Sequence, residues 1–173
     1  MTRSLSDRVG GVHESATMAV EELARRLRAE GREVVSLASG DPDFTTPAHI
    51  VEAAHAAMLA GDTHYPPPRG NPRLIAAIVE KLRRENGVEA AASQVIVAPG
   101  GKWALFLALG AILNPADEVI VLEPAWVSYR PMIELNGGVP VGVELEGPEY
   151  VITGAALRAA VTEIGRASCR ERV

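Results

Sequence analysis

The chain has 173 residues, 47% of them hydrophobic and 23% charged, which is enough for one ordinary domain with a sizeable core and too apolar for a disordered segment. A net charge of -5 gives no electrostatic reason to expect a nucleic-acid partner, and the single cysteine, Cys169, excludes an intrachain disulfide. The longest apolar run, residues 103–113, is too short to cross a bilayer, and the N-terminus lacks the apolar stretch of a signal peptide, so a cytoplasmic protein with no membrane partner is expected.

The hydrophobic pattern predicts a first helix over residues 15–30. Val20, Leu23, Ala24 and Leu27 form one stripe, Ser15 is placed to cap the start, and Gly31 to end it. A β-branched run at 34–37 reads as a short strand, followed by an irregular turn from Ala38 to Phe44. Thr46-Pro47 opens a second helix that stops at Gly61, with the proline at its first position. Three consecutive prolines make residues 62–70 an extended loop. Asn71-Pro72 repeats the cap-then-proline signal, and Leu74, Ile75, Ile78, Val79 and Leu82 give the third helix an apolar face that ends at Gly87.

From Val95 the pattern changes. Residues 95–98 and 119–122 read as buried strands, 102–113 and 127–136 as helices, 139–145 as a further strand, and 154–161 as a last helix capped by Thr153. Strand and helix alternate without hairpin signals, which predicts an α/β fold with a mostly parallel sheet flanked by helices. Residues 164–173, IGRASCRERV, show neither period. Residues 163–173 can be read back into the codons of a common sequencing adapter, so this tail is expected to be non-native and the chain to be a piece of a longer one, with a genuine basic tail as the alternative.

Four places carry possible chemistry. Val97-Ala98-Pro99-Gly100-Gly101-Lys102 runs from a strand through a double glycine into a helix. Glycines admit close approach of a ligand, free helix N–H groups attract an anion, and Lys102 adds a positive charge. The spacing is neither a Walker loop nor GxGxxG, and a plain strand-to-helix turn is the alternative. Trp126 lies just past the end of the next strand, on the edge where open α/β sheets bind ligands; it suits stacking on a flat aromatic, with core filling as the alternative. Tyr65, on the proline-stiffened loop, suits a hydrogen bond to phosphate, or else packs on its prolines. Asp41 and Asp43 flank a proline without a nearby third ligand, which reads as a capped turn rather than a metal site.

These pieces resemble, in order and in register, the class I/II aminotransferases, fold-type I enzymes dependent on pyridoxal 5'-phosphate (PLP), and are closest to the bacterial aspartate aminotransferase subgroup. Residues 37–47 resemble the GEPDFxTP signature, with Asp41 where glutamate is usual. The stretch from His64 to Gly70 resembles the Y-x-P-x-x-G loop, Gly100 to Leu105 the GGKQAL turn, and residues 117–129 the DEVIVxxPYWVSY segment, with Ala125 in place of tyrosine. The resemblance implies the N-terminal portion of the fold-type I fold, incomplete. Residues 1–46 would be the first segment of the small domain and 47–163 the first half of the large PLP-binding domain. It also implies roles. Gly40 would offer its N–H to the substrate carboxylate, and Gly100, Gly101 and Lys102 would hold the PLP phosphate. Trp126 would stack on the cofactor ring and line the substrate site. Tyr65 would reach the phosphate in a second subunit of a homodimer.

The expected reaction moves an amino group between an amino acid, aspartate-like by the resemblance, and a 2-oxo acid. The family's cofactor-bearing lysine lies further on. This chain has only Lys81 and Lys102, neither of which matches it, so no catalytic residue is assigned and the chain itself is expected to be inactive. Another fold-type I enzyme, such as a carbon–sulfur lyase or a kynurenine-type transaminase, stays open. So do a Rossmann-like nucleotide module and a non-catalytic interaction domain. A half sheet with uncovered edges is expected to be poorly soluble.

Overall fold

The computed structural model describes residues 6–12, 15–38, 40, 42–162 and 165–166. It divides into two compact units, one comprising the described residues up to Gly40 and from Leu105 onward, the other Asp41–Ala104.

The first unit begins with a single turn, α1 (Asp7–Gly10), and α2 (Ala16–Ala29). Ser15 occupies the N-cap position of α2, but its side chain makes no capping hydrogen bond. Of the predicted stripe only Ala24 is buried. The expected strand at 34–37 does not form. The segment has no paired strand, with Val35 82% and Leu37 94% exposed, and two of its polar groups bond to side chains of α2. The Ser36 hydroxyl donates to Glu21 (2.9 Å) and Arg28 Nε to the Val34 carbonyl (3.1 Å).

In the second unit α3 (Ala48–Leu59) starts one residue later than expected, with Pro47 as its N-cap. It buries none of its residues. α4 (Pro72–Asn86) matches its sequence signals closely: Asn71 Oδ1 accepts from the Arg73 N–H at 2.9 Å, Pro72 sits in the first turn, and Gly87 ends the helix in the left-handed region at φ 65°. A 3-10 turn, Ala92–Gln94, packs on α4 and has no counterpart among the expected elements. The expected strand at 95–98 does not form either. Val97 donates one hydrogen bond, to the Arg69 carbonyl (2.9 Å), which is a tie to a loop and not a ladder. A β-branched run supplies propensity, but a strand also needs a neighbouring backbone.

The helix α5 (Gly101–Ile112) crosses the boundary between the units at Ala104. Beyond it, β1 (Glu118–Glu123), α6 (Tyr129–Leu135) and β2 (Val139–Glu144) form a βαβ crossover, with β1 and β2 parallel and paired from Glu118↔Val139 to Glu123↔Glu144. α7 (Gly154–Ala160) follows, capped as expected by Thr153 Oγ1, which accepts from the Ala156 N–H at 3.2 Å. Gly165–Arg166 then forms a short third strand, β3, parallel to β1 on its other side, within the stretch expected to lack regular structure. The sheet order is β2-β1-β3. The α/β class with a parallel sheet is therefore as expected. Leu109, Val119, Val121, Met132 and Ile133 make the core of this unit. Gly110 lets α6's cap come close: a Cβ there would meet Asn136 Oδ1 at 2.8 Å, and Asn136 Nδ2 donates to the Met132 and Phe106 carbonyls.

Candidate functional site

Gly100, Gly101, Lys102 and Tyr65 lie in the helical unit. Gly100 has φ +89°, a conformation that an L side chain rarely adopts, and Gly101 begins α5. Cβ atoms built at Gly100 and Gly101 would meet nothing within 4 Å, so the glycines are needed for backbone shape and open access, not for internal packing. The α5 N-terminus thus presents unencumbered backbone, with Lys102 as its second residue. That arrangement suits an anion, because the first helical N–H groups lack intrahelical acceptors.

The loop bearing Tyr65 is joined to the segment leading into these glycines, a link that no sequence motif disclosed. Besides the Val97–Arg69 hydrogen bond, Gly70 lies against Val97 so tightly that a Cβ there would come within 2.7 Å of Val97 Cβ. The glycine of the Y-x-P-x-x-G pattern is therefore required by close packing at φ +113°. Tyr65 itself is fully exposed at 103%, so the alternative in which it packs on its prolines does not hold.

Trp126 and Gly40 lie in the sheet unit. Trp126 follows the carboxyl end of β1 by three residues and is 43% exposed. It is absent from the core cluster, where Ala125 and Tyr129 instead pack on Val121 and its neighbours, so core filling is not its role. Its ring meets Tyr129 edge-on, with centroids 5.5 Å apart and planes at 87°. The turn leaves the strand through a cis Glu123–Pro124 bond and closes with the Tyr129 N–H donating to the Trp126 carbonyl at 3.0 Å. A Cβ on Gly40 would also meet open space. Ser39 and Asp41 beside it lie outside the described residues, as does Cys169. Among the described residues no three His, Cys, Asp or Glu side chains gather as metal ligands, and no helix is long and apolar enough to cross a membrane.

The family described as aminotransferase class I and II matches residues 32–170. The chain is 52% identical over 141 residues to a probable aspartate/prephenate aminotransferase of Thermus aquaticus, covering 82% of this chain and 37% of that protein. It is 48% identical over 161 residues to the aspartate/prephenate aminotransferase of Thermus thermophilus, covering 92% and 42%. Among solved structures, the aspartate aminotransferase from Thermus thermophilus with maleate superposes with a TM-score of 0.90 at 47% identity, covering 95% of this chain and 44% of that one. The aspartate aminotransferase from Rhizobium meliloti gives 0.90 at 35% identity, with 95% and 41% covered. The chain spans about two fifths of the length of the curated relatives it matches.

Proposed function

The chain belongs to the aminotransferase class I and II family, and from that premise we propose that it contributes the phosphate-binding and ring-stacking part of a PLP-dependent aspartate-type aminotransferase. The whole enzyme would transfer an amino group between an aspartate-like amino acid and a 2-oxo acid, in the cytoplasm, as a homodimer. The observation that carries the reading is the left-handed Gly100 before the open α5 N-terminus with Lys102 beside it, inside the stretch that the family matches. The relative bound to maleate, a dicarboxylate, supports an acidic substrate.

When bound, PLP supplies the electron-withdrawing ring on which amino-group transfer depends. The open, left-handed glycine turn before α5 fits the phosphate of such a group. Gly101 would give the phosphate its N–H group at the positive end of α5, Gly100, whose own N–H donates to the Ala98 carbonyl, would turn the backbone toward it, and Lys102 would add a full charge. Trp126 would cover one face of the ring, and Gly40 would offer its N–H to the substrate carboxylate. The wholly exposed Tyr65 would donate to the phosphate held by a second copy.

Equilibrium titration of the purified chain with PLP and, separately, with NAD tests this reading. PLP is expected to bind, inorganic phosphate to compete, and Lys102→Ala to weaken binding about tenfold, the scale of one charge-assisted hydrogen bond. NAD uptake without PLP uptake would instead favour the nucleotide module. With Lys81 and Lys102 as its only lysines, the chain is expected to give no transamination product from aspartate and a 2-oxo acid. Turnover that disappears in Lys102→Ala would reverse that expectation.

A further inference from the structure

We propose that Glu123 and Arg130 are positioning residues, an ion pair that clamps the turn between β1 and α6 and thereby fixes the orientation of Trp126. Glu123 is the last residue of β1 and Arg130 the second of α6, so the pair closes the two ends of the segment that carries the indole. Arg130 Nε donates to Glu123 Oε1 at 2.8 Å, and Nη2 donates to the same oxygen. Both side chains are partly buried. A guanidinium gripping from two nitrogens sets direction as well as distance, which a lysine would not.

Two further features support a built device. The pair lies over Gly142 of β2, where a Cβ would come within 2.6 Å of Arg130 Nη2 and 2.9 Å of Glu123 Oε2. The neighbouring strand is thus bare where the pair rests. Glu144 stands opposite Glu123 in the β1–β2 register, so without Arg130 two carboxylates would face each other at the strand ends. Within the clamped segment, Trp126 is already held at both its carbonyl and its ring by Tyr129, the residue next to Arg130. Arg130 follows Tyr129 directly, so the clamp and this hold act on the same turn. The value of this orientation to a cofactor ring rests on the function proposed above; the clamp itself does not.

The test uses the full chain with Trp103→Phe, so that Trp126 is the only indole, and reads acrylamide quenching of its fluorescence. Glu123→Gln and Arg130→Gln are each expected to raise the quenching constant about twofold, the scale set by a partly exposed pair. The charge-exchanged double variant, Glu123→Arg with Arg130→Glu, is expected to return toward the parent. Unchanged quenching in both single variants overturns the clamp, as does a double variant no better than the singles. If a single variant loses far-UV helicity, Arg130→Lys, which keeps the charge and drops the fork, takes its place: a smaller rise supports the clamp, and none overturns it. PLP titration of the same proteins separates the two readings. A parent that takes up no PLP counts against the proposed function, while the quenching result still decides the clamp.

Discussion

The sheet unit and the helical unit of this molecule both carry long apolar runs, yet they bury them differently. In the sheet unit, Val119 and Val121 of β1, Met132 and Ile133 of α6 and Leu109 of α5 close into one cluster, with Ile133 only 2% exposed. In the helical unit, Ile75 and Val95 are the buried hydrophobic residues among those described, and α3 buries nothing, although Ile50, Val51, Met58 and Leu59 all lie on it. The difference follows from geometry. Alternate residues of β1 project to one face, and a crossover helix of two turns is enough to cover them. A helix that is apolar on several sides has no single face to satisfy, and α4, with its one stripe, does not cover it.

The largest effect that could break this contrast is a cavity in the sheet unit. Ile133→Ala is expected to cost about 2–5 kcal/mol, read as a fall in the urea midpoint, together with faster amide exchange along β1. A cost below 1 kcal/mol, on the scale of a surface change, would mean that the cluster is not the stabilising core. An intermediate effect is expected where the helical unit is well specified. Asn71→Ala removes the acceptor for the Arg73 N–H and should cost about 1 kcal/mol, with exchange quickening in the first turn of α4. The smallest effect should come from α3. Leu59→Ser is expected to change stability by less than about 0.5 kcal/mol, since the side chain is exposed. A loss like that of Ile133→Ala would show α3 to be packed in solution and would erase the contrast.

Several residues were legible because their signals are local. Asn71-Pro72 and Thr153 act at helix ends within three residues of themselves, and the structure shows each hydrogen bond. The double glycine before α5 is another such case, since φ +89° at Gly100 is a demand that its own sequence position can reveal. The motifs in register also named the family correctly. By contrast, residues 34–37 and 95–98 have strand composition and no strand, and Gly165–Arg166 has no strand composition yet pairs with β1.

What the sequence determined by itself is the placement of α2 through α7, the βαβ order and the family, because periodicity and capping act over a few residues. Only the tertiary structure decided which extended runs find a partner, that Trp126 stands outside the core, and that Gly70 is needed against Val97. The Glu123–Arg130 pair belongs to the same group: its partners are seven residues apart across a strand end and a turn, and their meeting depends on how α6 lies over Gly142. Such contacts depend on distances between elements, which no local pattern of residue types encodes.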